Sequence, residues 1–462
     1  MRAARSDGDG IRAGAAKADI TPQKDIQIGG DIGRRRPTEE IVDPLYAKAL
    51  MLDRGGKKLC IVVLDLIAAS DAWVDRIRDE TAKRCGLDRD AVIVHCIQTH
   101  AGPSLGHFMS GEGLPWITDD LWWLRGGDDR YDQPAFDRIM TAIEQANANL
   151  RPVKIAVGRG ADGRVAFNRR FVMRDGSGKC HPPRCSPDIL YCEGPIDPQV
   201  AVVTLTGDDS EPVATILHHT CHPCHFYPLT KISAGWPGAW SDQVTEHVGG
   251  GVSLVLNGFC GNVHHTNHLD RHHNASHIDV ADKLTETAIC VLNETMRPVD
   301  DPVLDWTAAT IHIPLRKLDP KLIRDAEELL EKHPTPIWLD EQKTRVDWSW
   351  CYAVDRIALK HLHERTDTQE QQVQVLRIGD IAVVAARGEP FVESQLQIKA
   401  KSPAAYTLCA HMCGGSAGYV PTAESLKRGG YETDLSMGSC LAPEALDMIT
   451  DAAIGAMDRL WD

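Results

Sequence analysis

Through the first 300 residues, short unbroken apolar runs alternate with amphipathic stretches. Residues 59–66 (LCIVVLDL) form a run long enough for a strand and too short for a helix. Trp73, Val74 and Ile77 then recur at helical spacing among charges. Residues 91–97 (AVIVHCI) predict a second buried strand, and Phe136, Ile139, Met140 and Ile143 mark one face of a helix. Further strands are expected at 200–206, 213–217 and 252–256. This alternation predicts an α/β fold, a mixed β-sheet core covered by helices.

After Arg297 the pattern changes. Residues 303–315 read as an extended strand, 321–332 as a charged helix, and 335–350 as an irregular stretch rich in tryptophan. Residues 373–385, centred on Gly379-Asp380, read as a β-hairpin, and 444–461 as a closing amphipathic helix. No repeat or low-complexity linker interrupts the chain. The expected organisation is therefore one domain over 1–462, with a flexible N-terminus at 1–13 and a peripheral decoration at 303–372.

The net charge of −15 argues against a nucleic-acid partner. The one basic run, Arg34-Arg35-Arg36, beside Pro37 in a Gly-rich loop, reads as a solvated turn, with an anionic substrate group as the alternative. No stretch approaches the ~18 consecutive apolar residues of a membrane helix. Residues 1–17 lack the apolar core of a signal peptide. The 14 cysteines are accordingly read as reduced thiols, and the expected location is cytoplasmic. Nothing fixes the assembly, and a homo-oligomer stays open.

The 20 histidines cluster after strands. Gln98-Thr99-His100-Ala101-Gly102-Pro103 follows the strand at 91–97. His218-His219-Thr220-Cys221-His222-Pro223-Cys224-His225 follows the one at 213–217. Gly261-Asn262-Val263-His264-His265-Thr266-Asn267-His268 follows the one at 252–256. Ligands of open α/β sheets bind outside the carboxyl ends of strands, so the three clusters are expected to converge on one site. Imidazole is the commonest metal-binding side chain, and a metal centre is the chemistry such a site suggests. Cys221-x-x-Cys224-His225 has the spacing of a covalent haem site, which would require an oxidising compartment. Cys180, His181, Cys185 and Cys192 follow no standard zinc spacing and read as loop residues.

Taken in order, these segments resemble the catalytic domain of the neutral/alkaline, non-lysosomal ceramidases. The landmarks begin with Asp19-Ile20-Thr21-Pro22, Leu45-Tyr46-Ala47-Lys48-Ala49-Leu50 and Thr99-His100-Ala101-Gly102-Pro103. They continue through Phe167-Asn168-Arg169-Arg170, Cys221-His222-Pro223 and Gly235-Trp236-Pro237-Gly238. Gly388-Glu389-Pro390, Gly418-Tyr419-Val420-Pro421-Thr422 and Gly430-Tyr431-Glu432 complete the set. The resemblance implies a zinc ion, or another divalent metal, held by two histidines, a glutamate and a tyrosine. His222, Glu389 and Tyr419 fall on three of these ligands. Tyr431 falls on a tyrosine that hydrogen-bonds the reacting group, and Arg169 on an arginine lining the same pocket.

Two departures change that expectation. The family's first zinc ligand falls on Gln98, a neutral amide and a poor zinc ligand. Either His100 swings in, Gln98 binds weakly, another histidine substitutes, or the metal is changed or lost. The serine implicated in the family's catalysis falls on His264, which then becomes a candidate general acid or base. The chain also lacks the length for the family's C-terminal β-sandwich, which puts long-chain ceramide in doubt. The expected function is a hydrolase cleaving an amide bond of a small or N-acylated substrate by metal-activated water. Gln98, His222, Glu389 and Tyr419 form the expected metal site, and His100, Arg169, His264 and Tyr431 the catalytic set. The alternatives are an ester or lactone hydrolase, a metal-assisted lyase or isomerase on a sugar-like compound, and a non-catalytic binding protein.

Overall fold

The apolar runs expected as strands build the centre of the molecule. The structure is a computed structural model that describes residues 10–109, 113–415 and 417–462. Its first sheet contains β1 (Arg12–Asp19), β2 (Tyr46–Arg54), β3 (Lys57–Leu64), β4 (Val92–Cys96), β5 (Arg151–Ala161), β6 (Gln199–Gly207), β7 (Pro212–His219) and β8 (Val252–Asn257). Their order is β8-β7-β6-β5-β1-β2-β3-β4. The outermost pairs, β7 with β8 and β3 with β4, are parallel, and the inner pairs are antiparallel.

Period-two alternation assigns each strand two buried faces. On β6, Ala201, Val203 and Leu205 enter one apolar cluster, while Val200 and Val202 enter another. Helices α1 (Asp71–Cys85) and α2 (Asp129–Ala148) cover the first cluster, and α3 (Gly235–Val248) and α4 (His277–Glu294) the second.

A second sheet, β9 (Leu304–Pro314), β10 (Thr368–Ile378), β11 (Ile381–Ala386) and β12 (Tyr406–Ala410), runs in that order, with β11 and β12 parallel. The expected hairpin joins β10 to β11, with Gly379 at φ +61° making the tight turn. Leu376, Ile378, Ile381 and Val383 face the first sheet's cluster. Val373, Val375, Ala382 and Val384 face a cluster shared with the C-terminal helix Ala445–Trp461.

Three expectations are corrected. Arg12 and Ala13 already pair with Asp53 and Leu52, so the strand begins inside the segment expected to be flexible, while residues 1–9 lie outside the described residues. Residues 303–372 are no peripheral decoration, because they supply β9 and the start of β10. They also supply helix α5 (Pro320–Lys332) and helix α6 (Trp348–His363), whose Trp350 is fully buried. Arg36 is likewise no solvated turn residue. It is 0% exposed and donates to the carbonyls of Gly29, His100 and Leu229, which have no strand partner. Among the described residues no helix is long and apolar enough to cross a membrane.

Helix α2 lies so close on β1 that a Cβ at Gly14 would stand 2.2 Å from the Ala146 carbonyl oxygen. Gly14→Ala is therefore expected to lower the denaturant midpoint, at a cost of about 1–3 kcal/mol from backbone displacement. An unchanged midpoint would show that β1 and α2 separate freely.

Candidate functional site

The site gathers where parallel strands of both sheets end. The loop after β4 carries Gln98 and His100, and the loop after β7 carries His222. The loop after β8 leads to His264, and those after β11 and β12 carry Glu389 and Tyr419. Glu389 and Tyr419 are register partners in a two-residue parallel ladder. His222 bridges to His264 in the same manner. Asn257, the last residue of β8, ties the loops together: its amide donates to Ile97 O and Cys221 O, each at 3.1 Å, and accepts from Cys221 N. Asn257, 0% exposed, was not singled out by sequence, because nothing marks an asparagine at a strand end as a tie.

His222 and His100 share one pattern. The His222 Nδ1–H donates to Cys260 O at 2.7 Å, leaving Nε2 as a lone pair. That Nε2 lies 3.1 Å from Glu389 Oε2, and both atoms are buried without a hydrogen-bond partner. His100 Nδ1–H donates to Gly30 O at 3.2 Å, and its Nε2 is also buried and partnerless. The two rings stand 5.7 Å apart. Burial, then mutual repulsion with His222, lowers the His100 pKa to about 3. Burial, then Arg169, does the same for His222. Both imidazoles are thus neutral at pH 7, the form that binds metals.

Gln98 is engaged elsewhere. Its backbone sits at φ +64°, a conformation uncommon for any residue but glycine, and its Oε1 lies 2.8 Å from His411 Nε2. His411, just beyond β12, is fully buried and stands 6.4 Å from the His222 ring. The strand-end rule that picked out the other histidines applies to His411 too, but it stands alone after its strand rather than in a cluster.

Gln98, His100, Glu389, Tyr419 and Tyr431 line one cavity of about 220 Å³. Ile67, Phe108, Met109 and Met412 add apolar wall, and Asp355, Gln369, Ser436 and Ser439 add polar wall. His222, Arg169 and His264 are off the wall and reach it through others. Arg169, expected to line the pocket, instead donates to Glu432 Oε1 and Gly261 O, each at 2.8 Å, with its guanidinium 5.5 Å from the Tyr419 ring centre. His264 stacks 6.5 Å from His222 and accepts from Thr266 N through Nδ1, which leaves its proton on Nε2. Tyr431, 37% exposed, lies edge-on to Tyr419 at 5.6 Å.

Among the described residues, no three His, Cys, Asp or Glu side chains already stand in an arrangement ready to hold a metal ion. The donor chemistry nevertheless fits one. Three partnerless buried atoms, His100 Nε2, His222 Nε2 and Glu389 Oε2, are all electron-pair donors that a shared cation would satisfy. The haem spacing does not fit, since Cys221 is buried with its thiol on the Val165 and His222 carbonyls. Cys192 likewise spends its thiol on the Gly194 carbonyl.

Glu432 was quoted in the sequence only as a landmark, yet it holds the region together. Fully buried, it accepts from Arg169 and from Arg170, the latter at 2.7 Å. Burial raises its carboxyl pKa, but Arg169 and then Arg170 outweigh that and hold it at about 2. A depressed carboxylate contributes stability that is complete above the unfolded pKa of ~4.3 and lost as pH falls towards the folded value. Glu432→Gln is expected to cost about 3–5 kcal/mol at pH 7, because the buried Arg169 guanidinium loses its carboxylate and Arg170 is left with Glu193 alone. It should also flatten the loss of stability between pH 4 and 2 seen in acid titration of the parent. A parent-like acid limb in the variant would refute this role.

No family model matches the chain. Solved structures do, two of them ceramidases. Neutral ceramidase from Pseudomonas aeruginosa superposes with a TM-score of 0.71 at 19% identity, covering 98% of this chain and 75% of that one. A ceramidase complexed with C2 matches with the same TM-score and coverage at 16% identity. The chain therefore has a neutral-ceramidase-like α/β fold over nearly its whole length.

Proposed function

We propose that this chain is a metal-dependent hydrolase that cleaves an amide bond in a small N-acylated substrate. The reading rests on the fold shared with ceramidases and on one observation at the site. His222 Nε2 and Glu389 Oε2 face each other at 3.1 Å, two buried acceptors with no other partner, and His100 Nε2 is a third such atom in the same region. His100, His222 and Glu389 would hold the ion, with Tyr419 as the fourth ligand. Gln98 faces His411 instead and leaves the ligand set.

A divalent ion held there, zinc above all, would polarise the scissile carbonyl and make hydroxide available near neutral pH. The chain's own groups do the rest. Tyr431 lines the cavity beside Tyr419 and would donate its phenolic O–H to the carbonyl oxygen as negative charge develops. Arg169, fixed by Glu432, sets a positive charge behind Tyr419. The departing amine needs a proton, and the wall offers two acids: the Tyr431 phenol and the Asp355 carboxyl, which burial raises to about 6. His264 lies one ring behind His222, at 6.5 Å between ring centres, and is off the cavity wall.

The cavity of about 220 Å³ suits a small molecule better than two long alkyl chains. Its polar wall of Asp355, Gln369, Ser436 and Ser439 also accommodates hydroxylated molecules, so esters and lactones belong in the same substrate screen.

Metal analysis of purified variants tests the ligand set. His222→Ala, Glu389→Ala and His100→Ala should each lose about one equivalent relative to the parent, while Gln98→Ala keeps it. Parent-level metal in both His222→Ala and Glu389→Ala would sink the assignment, and retention in His100→Ala with loss in Gln98→Ala would restore Gln98 as the ligand. Tyr431→Phe should keep the metal and lower amide turnover about 10²–10³-fold.

A further inference from the structure

A second histidine-lined cleft lies outside the cavity. His225, His265, His273 and His277 line it with Arg184 and Phe226, around a volume of about 280 Å³. The histidines come from separate segments. His225 lies beyond β7, His265 directly follows the short strand Val263–His264, and His277 opens α4. We propose that this cleft binds a second divalent transition-metal ion, of the zinc, nickel or copper class, through His225, His265 and His277.

The partners of each ring indicate which nitrogens are free. Both ring nitrogens of His225 are buried and without a hydrogen-bond partner. His265 Nδ1 lies 3.5 Å from the His222 carbonyl oxygen, which places its proton there and leaves Nε2 as a lone pair. His277 Nε2 lies 3.6 Å from the Asp43 carboxylate, the carboxylate–imidazole arrangement that orients metal-binding histidines and leaves Nδ1 free. His273 is a wall residue only, since its Nδ1 faces Asn267 N at 3.5 Å.

An anion is the poorer occupant, because one arm of Arg184 and part of the α4 N-terminus are already committed. Arg184 donates to the His273 carbonyl. The first turn of α4 is closed by a capping box between Ser276 and Asp279. The buried partnerless ring is the His225 imidazole, and imidazole lone pairs bind cations of this class.

His225 and His265 now lie face to face at 3.7 Å, with His277 at 6.3 Å from His225. Stacked rings cannot aim two in-plane lone pairs at one point, so binding turns one ring edge-on. The ion would then pin the β7 loop, the loop after Val263–His264 and the start of α4 to one another. This makes it a structural staple for the backbone that carries His222 and His264.

The test is titration of chelator-stripped full-length protein with Zn²⁺ alone, read by bound equivalents and by melting temperature. The parent should bind about two equivalents, and the double variant His225→Gln/His277→Gln about one. Zn²⁺ should raise the melting temperature of His222→Ala by several degrees, and should raise the double variant's by less than the parent's. Parent stoichiometry in the double variant would overturn the proposal. So would a second equivalent weaker than about 100 µM, the mark of surface histidines that happen to be near. If the double variant fails to fold by near-ultraviolet circular dichroism, His265→Gln takes its place, and parent stoichiometry there is equally fatal. The two sites fail separately: full metal content in both His222→Ala and Glu389→Ala overturns the first alone, and full content in His225→Gln/His277→Gln the second alone.

Discussion

One carboxylate, Glu432, is shared by two arginines from a distant strand, and the arrangement of the site depends on it. Arg169 and Arg170 follow the short strand Phe167–Asn168, while Glu432 adjoins Tyr431 in the C-terminal third of the chain. All three side chains are nearly or fully buried, at 5%, 1% and 0% exposure. Desolvating these charges is expensive, and an apolar replacement of similar shape would often be as stable. What the triad supplies is register: a carboxylate that must meet two guanidinium groups has one place to sit. That place fixes Tyr431 against Tyr419 and holds the Arg169 charge under the Tyr419 ring.

The same logic of enforced pairing runs through the histidines. A buried imidazole with one nitrogen on a carbonyl is neutral, oriented and left with one lone pair. His100 on Gly30 and His222 on Cys260 are both in that state. The fold controls which carbonyls are offered. Arg36 holds the His100 carbonyl and the Gly29 carbonyl together, so the loop after β4 and the Gly29-Gly30 turn move as one. Asn257 does the corresponding work between the ends of β4 and β7. The reactive region is thus assembled from loops, but each loop is tied to a strand end by a buried polar group.

How much of this was legible in the residues follows from the range of each interaction. The strands were visible because continuous Val, Ile and Leu runs report burial on both faces, a property of the neighbouring residues alone. The convergence of Gln98, His100, His222 and His264 was visible because each follows such a run. The choice between Gln98 and His100 was not, since it depends on a positive φ at Gln98 and on His411, 313 positions away. Arg36 was misread for the same reason: its partner at Leu229 is 193 positions distant, and locally three arginines look like a solvated turn. The segment 303–372 was misjudged because its break in pattern reflects a change of sheet rather than an excursion from the core.

That segment also bears on what the cavity admits. Helix α6 places Trp350, Cys351, Tyr352, Val354 and Asp355 on the wall. Asp355 is held by the Met437 backbone amide at 2.8 Å, and the Gly438 carbonyl in turn accepts from Tyr419 N. The element that closes the cavity is therefore joined, through one short loop, to the residue proposed as fourth metal ligand. The small volume of the cavity that this helix closes, about 220 Å³, is the physical reason for proposing a small N-acylated substrate rather than a long-chain lipid.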